Sequence, residues 1–526
     1  MKRAEMLRHV HERAERGEPW DIIVIGGGAT GIGIAVDAAS RGHDVVLLEQ
    51  SDFGKGTSSR STKLVHGGVR YLQQGNVPLV MEALKERGIL RKNAPHLVTD
   101  LPFVVPNYKW WEAPFYGVGM RVYDVLAGRY GFGHSRNLSV EETIEHIPTI
   151  ETDGLRGGVI YHDGQFDDAR LVIHLAITAA EQGATLVNYA RVTGITKNDQ
   201  GFASGVTMLD EETGQEHQVT GQVVINATGA FTDAVREMDD PGARPIIRPS
   251  QGVHIVLDRA FLPGDSAIMV PHTDDGRVLF AIPWRNRVLV GTTDTPIEDV
   301  ELEPKPLKEE VDFLIEHAVR YLTRDPKEED VLSVFVGIRP LVAEGDAEET
   351  AEISREHAIR ISHSGLLTIA GGKWTTYRNM AEDAVDAAQT LGDLDPEPCV
   401  TEELNIHGYH RHAERFDELE VYGSDAPKIQ EIMDQEPGMS HRVHEKLELT
   451  RAEVAWACRE EMARTVDDVL ARRSRSLIFD AKAASDAART VAELMARELE
   501  RDEAWIEDQL EAFGAIARGH MLSPSA

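Results

Sequence analysis

The stretch Asp21–Glu49, DIIVIGGGATGIGIAVDAASRGHDVVLLE, decides the fold of this 526-residue chain. It opens on a continuous apolar run, residues 21–25, as expected for a strand buried on both faces of a sheet. Glycines then interrupt the run, residues 29–41 carry a helical pattern that stops at Gly42, and residues 44–49 form a second apolar run. This order predicts a βαβ unit at the start of a Rossmann-like domain.

Three glycines in the turn, Gly26, Gly28 and Gly31, are spaced as G-x-G-x-x-G. Only glycine lets the backbone turn sharply here and approach a pyrophosphate, which the N-terminus of the following helix then stabilises. Glu49 ends the second strand, where a carboxylate can accept hydrogen bonds from ribose hydroxyls. The pattern predicts a dinucleotide site, and the alternative is a tight turn followed by a structural surface glutamate.

Later segments favour FAD over NAD as the dinucleotide. A polar, glycine-bearing stretch, residues 57–72, follows the ribose-binding acid, and a flavin needs such loops to hold its ribityl chain and ring. Two glycine turns, residues 227–229 and 371–373, would add contacts near the pyrophosphate and the ring. The candidate cofactor-binding residues are Gly26, Gly28, Gly31, Glu49, Thr57, Ser58, Thr62, Lys63, Leu64, Gly229, Gly371 and Thr375. We predict no metal site.

The composition excludes several classes of function. The chain has 88 acidic and 55 basic side chains, and its net charge of −33 repels nucleic-acid backbones and anionic lipid headgroups. An acidic, lysine-poor chain is typical of a salt-rich cytoplasm, and an ordinary acidic enzyme is the alternative. The two cysteines lack the spacing of a disulfide framework, a four-cysteine zinc site or an iron–sulfur cluster. With no long apolar run and no secretory signal, we expect a cytoplasmic protein without a nucleic-acid partner.

Apolar strands that end in glycine turns recur at residues 222–227 and 366–370, and we expect them to join the first two strands in one sheet. Residues 245–300 alternate strand-like runs with turns, which predicts an antiparallel sheet. Aromatic side chains at residues 108–116 indicate a substrate-side or surface element, and the patterning of residues 410–526 is helical.

The predicted fold class is therefore α/β (α+β overall). It combines a Rossmann-like FAD-binding domain built from discontinuous segments, an antiparallel β-sheet substrate domain and a C-terminal helical cap. The boundaries are residues 18–99, 151–244 and 331–395 for the FAD-binding domain, 100–150 and 245–330 for the substrate-binding domain, and 396–526 for the cap.

Seven strings of sequence are specific to one family. They are IGGGATGIG (25–33), STKLVHGGVRYL (61–72), GVHIV (252–256), IPW (282–284), GTTDTP (291–296), VGIRPL (336–341) and AGGKWTTYR (370–378). With them the chain resembles the FAD-dependent glycerol-3-phosphate dehydrogenase family, within the glycine and D-amino acid oxidase-like flavoproteins. The resemblance covers about residues 18–395 strongly and the tail more loosely.

The resemblance implies a cationic substrate site. Arg70 and Tyr71 match residues that line it, Arg339 and Arg355 match arginines that hold the substrate, and Lys373 matches a lysine close to flavin and substrate. Such residue types suit a phosphomonoester dianion, because several cations offset its charge and the guanidinium fork fits its oxygens. The alternatives are a surface ion pair for Arg339 and a solvated ion pair for Arg355.

The predicted catalytic residues are His254, Arg339 and Lys373. His254 matches a histidine near the reacting carbon, and an imidazole titrates near working pH, so it is our candidate for the general base. Its alternative is a satisfied core histidine. We interpret His66 as structural or adjacent to the flavin.

The implied reaction is oxidation of sn-glycerol 3-phosphate to dihydroxyacetone phosphate in glycerol catabolism, with a hydride passing from C2 to flavin N5. The resemblance also implies that electrons pass to a quinone or to partner subunits, with peripheral contact on the cytoplasmic face of the membrane, and it allows a homo-oligomer. Three alternatives stay open: an oxidase that uses oxygen, a flavoprotein subunit that scaffolds a respiratory complex, and an FAD protein without redox turnover.

Overall fold

The computed structural model describes residues 1–73, 75–271, 273, 278–342 and 356–522, apart from the side chains of Arg70 and Gln73. The strands are β1 (Trp20–Ile25), β2 (Val45–Leu48), β3 (Leu64–Val65), β4 (Val98–Pro106), β5 (Arg136–Leu138), β6 (Gly158–Phe166), β7 (Thr185–Val187), β8 (Ala190–Lys197), β9 (Ala203–Asp210), β10 (Gln215–Asn226), β11 (Ile247–Asp258), β12 (Ala267–Val270), β13 (Leu279–Trp284), β14 (Arg287–Gly291), β15 (Thr295–Pro296), β16 (Ser333–Val342), β17 (His357–Ile361) and β18 (Leu367–Gly371).

The α-helices are α1 (Arg3–Arg16), α2 (Ala29–Ser40), α3 (Val69–Gln73), α4 (Val77–Asn93), α5 (Glu112–Ala127), α6 (Val140–His146), α7 (Asp168–Glu181), α8 (Thr232–Asp239), α9 (Lys308–Tyr321), α10 (Tyr377–Gly392), α11 (Ala426–Gln435), α12 (Arg451–Glu460), α13 (Ser476–Phe479), α14 (Ala481–Glu498) and α15 (Glu503–Gly519). A π-helix spans Asp468–Arg473. Within the described residues, no helix has the length and apolar content needed to cross a bilayer.

The first sheet has the strand order β17-β18-β10-β1-β2-β7. Its central strands are parallel, since β1 pairs in parallel with both β2 and β10, and β10 pairs in parallel with β18. The N-terminal half of β10 pairs with β9 in an antiparallel hairpin instead. The predicted strands at 21–25, 44–49, 222–227 and 366–370 thus lie side by side, and the predicted fold class is confirmed.

Helix α2 packs closely against α10 because its residues are small. Gly33 faces the ring of Tyr377, and a Cβ on Gly33 would lie 2.9 Å from a ring carbon. The apolar residues of β1 and β2 are buried on both faces, one against α2, α7 and α10 and the other against α1 and the β8–β9 hairpin. This double burial explains why their sequences are continuous apolar runs.

The second sheet contains ten strands in the order β15-β11-β14-β13-β12-β4-β6-β3, with β16 added to β11 and β5 to β6. Its pairs are antiparallel apart from the parallel pair β12–β4. Strands β3, β6 and β16 hydrogen-bond in this sheet, although the predicted boundaries placed them in the FAD-binding domain. Membership of a sheet does not by itself define a domain. The predicted domain boundaries therefore stay a prediction, although these three strands pair in the other sheet.

The C-terminal region is helical, as predicted. Helices α12, α14 and α15 pack on one another around their own apolar core, which includes Val454, Val491 and Phe513. We use the name C-terminal unit for residues 396–522. The π-helix lies between α12 and α13, where the unit meets α7 and the loop after β2.

Candidate active site

A cleft of about 410 Å³ lies at the carboxyl ends of β1, β2, β10 and β18. In open α/β sheets this is the edge where ligands bind. The lining includes many of the predicted cofactor residues. They are Gly26, Gly28, Glu49, Thr57, Ser58, Gly229 and Gly371.

The glycine turn after β1 has no room for side chains. A Cβ on Gly31 would overlap the carbonyl oxygen of Gly26, and a Cβ on Gly26, whose φ is 109°, would lie 2.7 Å from the carbonyl oxygen of Ala227. Gly31 therefore acts by close packing beneath the cleft, without lining it. The turn brings the backbone of residues 26–28 to the cleft at the N-terminus of α2, where a pyrophosphate is stabilised by the helix dipole.

Glu49 lies at the end of β2 beside this turn. Its Oε2 accepts a hydrogen bond from the Gly27 amide at 2.6 Å, and its Oε1 accepts one from the Ser51 amide at 2.8 Å. Burial raises the pKa of Glu49, while the two amide bonds oppose that rise. Each carboxylate oxygen keeps a second lone pair, so the predicted ribose contact remains open to it.

Ser58 ties the loop after β2 to the rest of the cleft. Its Oγ accepts from the Ala29 amide at 2.9 Å, and its carbonyl oxygen accepts from the Trp374 indole at 2.8 Å. Next to it, the Thr57 hydroxyl donates to the Ile338 carbonyl of β16 at 2.6 Å. The loop thus joins the helix N-terminus, the turn after β18 and the second sheet.

The residues that line the cleft are suited to binding FAD. Three glycine-bearing turns converge on it, and they admit the close backbone approach that a dinucleotide requires. The turns after β1, β10 and β18 hold residues 26–28, 227–229 and 371–373.

Three other predicted cofactor residues do not line this cleft. The Lys63 ammonium is buried and donates to Asp168 at 2.7 Å and to the Ser59 carbonyl at 2.9 Å. Burial lowers the pKa of Lys63 to about 7, although Asp168 opposes that effect. The Thr62 hydroxyl hydrogen-bonds Nε2 of His254. Thr375 is buried. The structure gives Lys63 a set of protein partners, so its predicted cofactor contact is not supported.

A second cavity of about 130 Å³ adjoins the cleft. Most of its lining is apolar or aromatic, and four of the lining residues have polar side chains: His66, Tyr71, Tyr161 and Asp163. Leu64, the remaining predicted cofactor residue, also lines it.

Lys373 connects the cleft with this second cavity. It lines the cleft, and its Nζ lies 3.9 Å from the ring centroid of Tyr71, which lines the cavity. Two residues that the resemblance assigns to the substrate site are thus in direct contact. A cation over an aromatic face is stabilised by the ring quadrupole, and this holds the ammonium at the junction.

Asp163 is an acidic residue in the lining of the second cavity, and its charge is balanced. Arg87 donates to Oδ1 at 2.6 Å, and the Tyr123 hydroxyl donates to Oδ2 at 2.8 Å. Arg87 is 1% exposed, so this ion pair is little screened by solvent. The pair limits the repulsion that Asp163 would exert on an anionic substrate.

His254 lies outside the lining of the second cavity. It is 3% exposed, stacks on Phe335 with ring centroids 4.7 Å apart, and its Nε2 hydrogen-bonds the Thr62 hydroxyl at 3.0 Å. Burial lowers the pKa of His254 well below its usual range, and nearby Lys63 and Arg339 lower it further. The imidazole lies outside the lining of both cavities, which argues against a role as general base. Its buried Nδ1 has no hydrogen-bond partner among the described residues, so it is not a fully satisfied core histidine either, and its role stays a prediction.

Arg339 is held on the same face of the second sheet. It donates to the Asp294 carboxylate at 3.2 Å, to the Thr292 hydroxyl at 3.1 Å and to the Thr293 carbonyl at 2.9 Å. Gly252 provides the space, because a Cβ there would collide with the guanidinium. The structure does not bring Arg339 into the lining of either cavity, although its neighbour Pro340 lines the cleft.

Two predicted substrate residues cannot be placed. Arg355 lies outside the described residues, and only the backbone of Arg70 is described, in α3. Their roles therefore stay predictions.

His66 is the functional candidate that the sequence interpretation missed. It is one of the residues that line the second cavity, and its backbone amide donates to the Thr375 hydroxyl at 3.2 Å. The next residue, Gly67, has no room for a side chain, since a Cβ would collide with the Tyr123 hydroxyl. The sequence did carry one indication of this position, because His66 lies in the same short string as Arg70 and Tyr71, HGGVRY (66–71).

Comparison with known proteins agrees with this architecture. Residues 21–378 match the FAD dependent oxidoreductase family, and residues 366–506 match the C-terminal domain of alpha-glycerophosphate oxidase. The mitochondrial glycerol-3-phosphate dehydrogenase of Mus musculus is 42% identical, with 94% of this chain and 72% of the relative covered. Glycerol-3-phosphate dehydrogenase SDP6 of Arabidopsis thaliana is 40% identical over 95% of this chain and 86% of the relative.

Two solved structures show the same fold. The glycerol-3-phosphate dehydrogenase from Bacillus halodurans complexed with FAD has a TM-score of 0.80 at 29% identity and covers 98% of both chains. The L-alpha-glycerophosphate oxidase from Mycoplasma pneumoniae with FAD bound has a TM-score of 0.57 at 18% identity, covering 73% of this chain and 97% of that one. On these matches, together with the cleft formed by three glycine-bearing turns, the chain belongs to the family of FAD-dependent glycerol-3-phosphate dehydrogenases.

Proposed function

We propose that this enzyme oxidises sn-glycerol 3-phosphate at C2 to dihydroxyacetone phosphate. The observation that carries the proposal is the contact between Lys373 and Tyr71, which joins the cofactor cleft to a small cavity with a cation at the junction. A positive group there offsets the charge of a phosphorylated substrate in a chain that is otherwise strongly acidic. The relatives' names support the same substrate.

FAD, when bound, supplies the acceptor for the hydride from C2. As the hydride leaves C2, the C2 hydroxyl loses its proton, and a side chain of the protein must accept that proton. A base therefore belongs within hydrogen-bond reach of the hydroxyl oxygen. We assign this role to an imidazole nitrogen of His66, because His66 faces the second cavity and His254 does not. Lys373 then orients the substrate, and Arg70 and Arg355 remain our proposed phosphate ligands by resemblance.

The electron acceptor that we propose is a quinone, reached directly or through partner subunits. Turnover with glycerol 3-phosphate and a water-soluble quinone analogue should yield one dihydroxyacetone phosphate for each quinone reduced, since both reactions transfer two electrons. Product formation and oxygen uptake are measured in the same reaction. Hydrogen peroxide in equal amount to the product would identify an oxidase instead, and absence of product would exclude the proposed reaction.

Helix α5 supports a peripheral contact with a membrane. Its outward face is a stripe of apolar side chains: Phe115, Val118, Val122 and Val125, between 44% and 80% exposed. Trp110 precedes the helix and is 79% exposed. An exposed apolar stripe at helical spacing next to tryptophan is typical of a helix that lies in the interfacial region of a bilayer.

The charges near α5 differ from those of the whole chain. Lys109, Arg121 and Arg129 are exposed around the stripe. The two acids of α5, Glu112 and Asp124, are half-buried, so this segment carries a small excess of positive charge despite the net charge of −33. The inner face of α5 packs in the same apolar cluster as Tyr71. Tyr123 of that inner face accepts a hydrogen bond from the Gly67 amide at 2.8 Å. A bilayer on α5 would therefore lie one helix away from the second cavity, which suits electron transfer to a lipid-soluble quinone.

Placing two charges on this stripe should release the enzyme from membranes. We expect the double variant V118D/V125D to partition about 100-fold more weakly onto phosphatidylcholine vesicles, because two buried valines contribute about 3 kcal/mol. Vesicle co-sedimentation at high ionic strength measures the effect. Val400, which is 46% exposed in the C-terminal unit, gives the matched control V400D. Wild-type protein that stays in the supernatant, or a double variant that sediments like wild type, would contradict the proposed contact.

A further inference from the structure

A buried ionic cluster connects the C-terminal unit with the loop that lines the cofactor cleft. Its members are six acids and six bases: Asp52, Lys55, Lys63, Asp167, Asp168, Arg170, Glu461, Asp467, Asp468, Arg472, Arg473 and Arg475. Lys55 is the most exposed of these side chains, at 16%, and the others are at most 7% exposed. Counted as ionised, these twelve side chains carry equal positive and negative charge, and Arg285 and Glu303 extend the network at its more exposed edge.

Asp52 accepts three hydrogen bonds from two arginines of the C-terminal unit. Arg472 donates to its Oδ2 at 2.5 Å, and Arg473 donates to Oδ2 at 2.6 Å and to Oδ1 at 2.9 Å. Burial would raise the pKa of Asp52, but the guanidinium groups of Arg473 and Arg472 hold it below its usual range. Both arginines therefore bind an ionised carboxylate at the beginning of the loop.

Two further contacts fix the rest of the loop. Arg475 donates to the Ser59 carbonyl at 2.7 Å, where the Lys63 ammonium also donates. Lys55 donates to the Asp467 carboxylate at 3.0 Å. We call residues 52–60 the flavin loop, because residues 54–58 within it line the cofactor cleft. The loop thus has one side on the cleft and its other side bound to the C-terminal unit.

The backbone of the C-terminal unit is adapted to this contact. Arg472 and Arg473 end the π-helix Asp468–Arg473, and this rare form of helix is frequent at functional sites. Consecutive side chains of an α-helix point about 100° apart, yet both arginines reach one carboxylate here. Arg475 follows in the left-handed region, with φ of 63°, and turns its guanidinium back to the loop.

We propose that Arg472, Arg473 and Arg475 are positioning residues that hold the flavin loop in its cofactor-binding conformation, so that the C-terminal unit controls how tightly FAD is retained. The arginines do not touch the cleft themselves; they act through Asp52 and the Ser59 carbonyl. This inference rests on FAD binding, which the family establishes, and is independent of the proposed substrate.

The test compares FAD retention in R473Q with that in R459Q, a control variant that removes a partly exposed arginine. Arg459 also forms ion pairs with two carboxylates, those of Glu436 and Glu498, but both partners lie inside the C-terminal unit. The dissociation constant of FAD is measured from flavin fluorescence on serial dilution of the full-length holoprotein. We expect R473Q to raise it at least about tenfold and R459Q to leave it within about twofold of wild type.

R473Q removes one charge of a buried ion pair and can prevent folding for that reason alone. The double variant D52N/R473Q removes both charges of the pair, so it provides a second test if R473Q does not fold. We expect its FAD dissociation constant to stay raised by about tenfold, while circular dichroism and thermal unfolding show a folded chain. Wild-type retention of FAD in either folded variant would overturn the inference, as would equal weakening in R459Q. These readouts do not involve substrate, so they stand apart from a failure of the proposed reaction.

Discussion

Turnover of the H66N variant is expected to fall by about 10²–10⁴-fold, the usual contribution of a positioned general base. His66 is the histidine that faces the second cavity, beside Tyr71. Asparagine keeps the backbone hydrogen bond to Thr375 and much of the side-chain volume, so FAD binding and the fold should be retained. Steady-state turnover with glycerol 3-phosphate over a range of pH checks the result, and the rising limb that reports the base should disappear.

The H254N variant serves as the control for this prediction. His254 is buried against Phe335 and Thr62, and its imidazole is enclosed away from the second cavity. We expect its turnover to stay within about tenfold of wild type, a change of about 1.4 kcal/mol in the barrier. If H254N loses more turnover than H66N does while FAD remains bound, the assignment of the base is wrong.

The fold could be predicted where the sequence carries local signals. The apolar runs of β1, β2 and β18, and the glycines that follow β1 and β18, are such signals, because strand burial and positive φ restrict the residue types. Sheet membership was harder to predict. Strand β16 reads as an ordinary buried strand, and its pairing with β11 depends on contacts between distant segments that leave no local pattern.

The cofactor cleft was largely predictable, since its chemistry lies in short strings. Lys63 was one of the exceptions, because a lysine in a polar loop gives no sign that it will be buried against Asp168. The contact between Lys373 and Tyr71 also depends on the tertiary fold. For His254, the apolar run around it correctly indicated a buried position, but it gave no sign that Nδ1 would lack a hydrogen-bond partner among the described residues.

The role of the C-terminal unit could not be predicted from sequence. Its arginines at 472, 473 and 475 lie in a charged helical region that is typical of a solvated surface. Their partners Asp52 and Asp168 are far away in the chain, so only the tertiary structure shows that the charges are buried in pairs.

The most direct test of the central claim is anaerobic reduction of the bound flavin, followed by its absorbance in a stopped-flow instrument. We predict complete bleaching by glycerol 3-phosphate, in an amount equal to that produced by a chemical reductant. Glycerol should bleach the flavin at least about 100-fold more slowly, since it lacks the group that the cationic junction binds, and a D-amino acid should not bleach it. Bleaching by glycerol as fast as by its phosphate, or a flavin that glycerol 3-phosphate leaves oxidised, would contradict a phosphate-recognising site at Lys373 and Tyr71.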